Sequence, residues 1–197
     1  MSMMSPSGAA LLAALFLAGC AGSQRETIAP NAKRQERLAA VRLDPAEAVR
    51  ILNAHRAERG LGAVRLDPAL TTMAQRQADA MAASDSLSHT AAGTFTARVH
   101  AAGLDTVRAA ENLGAGYFST QEAFEGWKKS SGHAANLVMP QATRMGIALA
   151  KNPQTRYGAW WTIVLAAEPE KRQELSAGPL VPAGGRGTTT FRWGPPL

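Results

Sequence analysis

Asp44-Pro45 and Asp67-Pro68 start two helices in the first half of the chain, before any strand signal occurs. This order constrains the fold more than any other feature. An aspartate caps the first free amides of a helix, and proline suits the first turn because its missing N–H would go unused there. Glu47 completes a capping-box spacing with Asp44. The first helix is expected to run to Arg59 and stop at Gly60, with Ala48, Ile51 and Leu52 as its inner stripe and His55 at the stripe's edge. The second carries Leu70, Met73, Ala74, Gln77, Ala78 and Met81 at helical spacing up to Ala83. A shorter helix spans Thr94 to Ala102, with Phe95 and Val99 inward and His100 outward. Ser119-Thr120-Gln121-Glu122 caps another, which places Phe124 and Trp127 on one helix.

Strands come later. Ala110 to Gly116 is a glycine-interrupted candidate. Met145 to Ala150 and Trp160 to Ala166 are clearer, joined by the turn-rich Lys151-Asn152-Pro153-Gln154-Thr155. Helices first and an antiparallel hairpin last is an α+β pattern. With 46% hydrophobic and 18% charged residues, a chain of 197 residues supports one compact domain with flanking segments.

The flanks carry their own signals. Ala9 to Ala18 is an apolar run suited to a signal-peptide core and too short to span a bilayer, although Met1 to Gly8 lacks the usual Lys or Arg. It ends in Leu17-Ala18-Gly19-Cys20, which resembles a bacterial lipobox whose cysteine would take a diacylglycerol. The expected division is therefore 1–19 signal peptide, 20–43 lipidated cysteine and polar tether (with a short helical turn around Arg34–Val41), 44–167 domain, and 168–197 a Gly/Pro-rich, disordered tail. Cys20 is the only cysteine, so no intramolecular disulfide is available and the core must carry the fold.

Charge is unevenly placed. Of the net +6, half falls in residues 21–43, where five basic face two acidic side chains; residues 44–167 are nearly balanced. A basic stretch beside a lipid anchor can lie against anionic headgroups. Nucleic-acid binding would need a basic, aromatic-laced patch on the domain itself, and the sequence shows none.

The chemistry-bearing residues are His89, Glu111 and His133, each in a short polar segment of an Ala/Leu-rich chain. Imidazole and carboxylate together can bind a borderline metal or move a proton near neutral pH. Singly each is weak, since a lone histidine more often makes a structural hydrogen bond. His133 stands where a helix would begin, and the positive end of that helix favours a neutral imidazole. Asn112 and Asn136 suit the fixing of loops by side-chain to backbone bonds.

Several ordered pieces support a family resemblance. They are Asn53-Ala54-His55-Arg56, Leu66-Asp67-Pro68-Ala69-Leu70, Ser88-His89, Glu111-Asn112-Leu113-Gly114, Trp127 through His133, Met145-Gly146-Ile147-Ala148 and Trp160-Trp161-Thr162-Ile163-Val164. In this order, over roughly residues 47–167, the chain resembles the CAP superfamily (cysteine-rich secretory, antigen 5 and pathogenesis-related 1 proteins; SCP domain), in its cysteine-poor bacterial lipoprotein branch. The resemblance implies a three-layer α-β-α sandwich with a small antiparallel sheet. It also implies a surface cleft in which His89, Glu111 and His133 converge.

Many members carry a second cleft glutamate three residues after the tryptophan, where this chain has Ser130. Two imidazoles and one carboxylate could hold Zn²⁺ with water in the fourth place, whereas the lost carboxylate disfavours Mg²⁺ and Ca²⁺. Three functions follow. The favoured one is a non-enzymatic, lipid-anchored envelope protein that binds a hydrophobic small molecule, a lipid or a wall component. Ala21 after Cys20 points to the periplasmic face of the outer membrane in a Gram-negative cell. The second is a metal-dependent or serine hydrolase, although neither a His-Glu-x-x-His nor a Gly-x-Ser-x-Gly motif is present, and Ser88, Ser130 and Ser131 suit loop and helix-end hydrogen bonding better. The third is a structural or interaction protein of the envelope.

Overall fold

The computed structural model describes residues 32–104 and 108–168. The apolar run, Cys20, residues 21–31 and the tail from 169 onward, on which the leader, anchor and tail expectations fall, lie outside the described residues.

Among the described residues, six helices and four strands follow one another as α1 (Ala32–Ala40), α2 (Pro45–Ala57), β1 (Arg65–Leu66), α3 (Pro68–Ser84), α4 (Phe95–Ala101), β2 (Ala109–Ala115), α5 (Thr120–Lys129), α6 (Ser131–Leu137), β3 (Arg144–Lys151) and β4 (Ala159–Ala166). The helix starts are chemical. Asp44 accepts from the amides of Ala46 and Glu47, Asp67 from Leu70, Thr94 from Ala97 and Ser119 from Glu122. Glu122 reaches back to the amide of Phe118 rather than that of Ser119, so the reciprocal bond lies one residue further out.

The sheet runs β1-β3-β4-β2. The β3–β4 hairpin is antiparallel, with Ile147 opposite Ile163, and β2 pairs antiparallel to β4 on its other side. The expected sheet was small and antiparallel. The two-residue β1 adds a parallel edge against β3, with Arg65 opposite Arg144.

Strand alternation sorts the core into two layers, one on each face of the sheet. Trp161, Ile163 and Leu165 of β4 and Ile147 of β3 pack with Leu52 of α2 and Phe124 and Trp127 of α5. Trp160 and Val164 of β4 and Ala148 and Ala150 of β3 pack with Leu70, Met73, Ala74, Ala78 and Met81 of α3. The result is a three-layer α-β-α sandwich.

Upstream of Asp44, α1 seats Leu38, and Val41 follows it, in the first of these layers. Part of the segment read as tether therefore packs with the domain.

Two charged groups are buried as supports. Arg144 pairs with Asp67 at 3.2 Å and donates to the carbonyl of Ala167, which ties the start of α3 to the end of β4. Arg56, fully buried, donates to the carbonyls of Gly62, Leu137, Met139 and Ala142, and so fixes the chain that leaves α6.

Candidate functional site

The site is organised by β2, an edge strand. Neighbouring residues on a strand point to opposite faces, so Glu111 and Asn112 serve different layers. Glu111 turns toward the α3–α4 side, where its Oε1 lies 2.9 Å from His89 Nδ1. Asn112 turns toward α6, where its amide donates to the carbonyl of His133 at 3.0 Å. Asn136 on α6 donates to Asn112 Oδ1 at 2.9 Å and to the backbone carbonyl of Glu111 at 3.3 Å. The two asparagines thus bind β2 to the helix that carries His133. Ser130, the third supporting residue expected, precedes α6 and makes no side-chain cap bond; its carbonyl accepts from Ala134.

The His89 loop is held from two sides. Gln77 of α3, fully buried, donates to the carbonyl of Ser88 and accepts from the amide of Ala92. Arg98 of α4 donates to the carbonyl of His89 at 3.0 Å and to that of Gly93 at 3.2 Å.

Arg98 also closes on Glu111. Its Nη1 lies 2.7 Å from Oε2 and its Nη2 lies 2.9 Å from Oε1, a bidentate pairing of two buried groups. Because an ionised carboxylate only accepts hydrogen bonds, His89 Nδ1 carries a proton and donates it to Oε1. The His89 side chain is 57% exposed, whereas that of Glu111 is 2% exposed. The outcome is an exposed imidazole whose Nδ1–H is anchored by a buried carboxylate.

His133 is half-buried, and its ring titrates below the ordinary imidazole value, first because of burial and then because of the charge on His89. The sequence places that cause at the helix start; the packing gives it to burial and to the facing imidazole. His55, at the edge of α2, is also lowered, by burial first and by Arg59 next; α2 lies in the same helical layer as α6.

The expected Zn²⁺ triad does not fit these side chains. Oε1 of Glu111 accepts from both Arg98 and His89, Oε2 accepts from Arg98, and the side chain is only 2% exposed, so the carboxylate is already neutralised and engaged rather than open to a cation. Among the described residues, no group of three His, Cys, Asp or Glu side chains is placed to hold a metal ion. His89 contacts Glu111, and Asn112 of the same strand holds the backbone carbonyl of His133; Glu111 orients His89 and is itself held by Arg98.

Arg98 is the residue that sequence reasoning passed over, because Phe95 and Val99 define the inner face of α4 and Arg98 lies between them. Its guanidinium also stands over the Phe95 ring, 5.4 Å from the centroid. Gln77 was read as part of an apolar stripe; a polar residue in that stripe was the available signal that α3 holds a loop. Beside the site, α3 and α4 enclose a mostly apolar groove of about 450 Å³, lined by Met73, Ala97, Ala101 and Ala102 with Arg76 and Arg98. Arg98 lines this groove and also holds Glu111 and the backbone of His89.

The described residues thus form an α-β-α sandwich around a four-stranded mixed sheet, with His89 held against its edge strand. Residues 49–165 match the model of the CAP, or cysteine-rich secretory protein, family, and the chain belongs to that family. Solved structures share the fold. An extracellular SCP-domain protein from Bacillus anthracis is 22% identical with a TM-score of 0.55, covering 62% of this chain and 40% of that one. An outer surface protein from Borrelia burgdorferi is 19% identical with a TM-score of 0.55, covering 64% and 96%. A cysteine-rich secretory protein from Staphylococcus aureus is 14% identical with a TM-score of 0.50, covering 62% and 38%. The match thus spans less than half of the Bacillus and Staphylococcus proteins. No curated protein matches the sequence.

Proposed function

We propose that this chain is an exported CAP-domain protein that binds an amphiphilic small molecule without transforming it. Its apolar part lies in the α3–α4 groove and its polar end meets His89 and His133. The observation that carries this reading is the closure of Arg98 on both oxygens of Glu111. A carboxylate held in that way cannot act as a free base or metal ligand, but it can fix an imidazole as a hydrogen-bonding partner. A hydrolase would also need a nucleophile in reach of His89 Nε2, and the hydroxyl of Ser88 is engaged with Thr90.

Export is supported by the apolar run before Cys20 and by the descriptions of two structural neighbours as extracellular and outer surface proteins. Lipidation at Cys20 completes the proposal and predicts that Cys20→Ser releases the protein from the membrane fraction.

The binding reading is tested by filling the groove. Ala101 is exposed at its wall, so Ala101→Phe should keep the melting temperature. The variant should lose binding of a fluorescent fatty acid by at least about tenfold, the loss of one well-filled apolar subsite. Equal binding by a folded Ala101→Phe protein would remove the groove from the function.

A further inference from the structure

A second pocket lies at the opposite side of the sandwich, where α1 meets the β3–β4 turn. It encloses about 360 Å³ and is lined by Lys33, Arg34, Arg37, Arg156, Phe118 and Tyr157. Arg34 donates to the carbonyls of Thr155 and Arg156, both at 2.9 Å, and so joins the helix to the turn. The Arg37 guanidinium stands 4.3 Å from the centroid of the Phe118 ring, and that of Arg156 stands 5.8 Å from the Tyr157 ring. Four cationic side chains thus surround two aromatic rings. Carboxylates near them include Glu122, half-exposed and 3.9 Å from Arg37, and Asp85, which accepts from the backbone amide of Arg156.

We propose that this face is the membrane-facing surface of the protein, and that the pocket seats the phosphate of an anionic phospholipid headgroup. Cations next to an anchor gain from the negative surface potential, and amphipathic aromatic rings favour the interfacial zone. The placement agrees. The stretch from Cys20 to Ala32, even fully extended, spans at most roughly 40 Å, so α1 is the element held closest to an anchored N-terminus. A diacylglycerol at Cys20 already supplies two acyl chains, so the basic surface would serve to orient the domain on an anionic membrane rather than to hold it there. The proposal rests on the export reading, but its test uses purified protein and is independent of location and of the histidine cleft.

The test compares full chains that all carry Cys20→Ser, with and without Arg37→Gln and Arg156→Gln, on two kinds of vesicle. One kind is phosphatidylcholine alone; the other also contains phosphatidylglycerol. The parent should float with the anionic vesicles and be released by salt. The double variant should lose about tenfold or more of that binding, as the removal of two surface-adjacent cations requires. Replacing both arginines by lysine should retain it, which separates lost charge from a misfolded protein. Equal binding by parent and double variant, or equal binding to neutral and anionic vesicles, would overturn the proposal. So would release by millimolar inorganic phosphate beyond that by chloride at equal ionic strength, which would make the pocket a site for a soluble anion.

Discussion

Arg98 Nη1 lies 2.7 Å from Glu111 Oε2, and the two side chains are 8% and 2% exposed. The pairing joins α4 to the edge strand β2, and the same carboxylate accepts from Nδ1 of His89. Breaking a buried pair from one side costs about 3–5 kcal/mol, because the remaining charge is stranded. Arg98→Met should therefore lower the unfolding free energy by about that amount in a urea titration. Adding Glu111→Leu should recover part of the loss. Additive single effects would show that the two residues are not coupled.

The same pairing separates orientation from coordination. Glu111→Gln should leave zinc affinity, read in a competition titration, unchanged. It should also shift the His89 ring-nitrogen resonances, since an amide no longer demands a proton on Nδ1. A tenfold loss of zinc affinity would instead restore Glu111 as a ligand.

Acid should destabilise the protein through His133 and His55. Both titrate in the fold below the ordinary 6.5, burial being the first cause in each. The unfolded chain then binds more protons in the window below that value, so their contribution to stability is fully present above 6.5 and is lost as pH falls through it. Replacing both histidines by glutamine should flatten the dependence of melting temperature on pH between roughly 5 and 7. An unchanged slope would assign the effect to other groups.

Gly146 sets how closely α3 lies on β3. A Cβ at this position would stand 2.1 Å from the carbonyl carbon of Leu70 and 2.3 Å from the amide nitrogen of Thr71, both backbone atoms that cannot step aside. Gly146→Ala should cost about 3 kcal/mol or more, or prevent folding, because the helix must move off the sheet. Gly132, in α6, has nothing within 4 Å of the same added atom. Gly132→Ala should be neutral or gain up to about 1 kcal/mol of helix propensity. Similar melting temperatures for the two variants would refute the packing argument.

The sequence by itself determined the helix starts, the hairpin and the two faces of β4. Asp44 and Asp67 cap amides two or three residues away, and the alternation of Trp160, Trp161, Thr162, Ile163 and Val164 is a property of extended backbone. These are short-range effects, so each could be read from its own segment. His89 and Glu111 were also legible, through residue type and order, as parts of one cleft. What they do there was not. The fate of the Glu111 carboxylate depends on Arg98, brought in by a helix whose pattern points to Phe95 and Val99. Likewise, the packing of α1 through Leu38 depends on a layer built mostly by residues far along the chain, and the parallel pairing of Arg65 with Arg144 crosses much of the domain. Tertiary structure decided these points because a buried charge is stable only beside a partner, and that partner comes from whichever element the fold brings next to it.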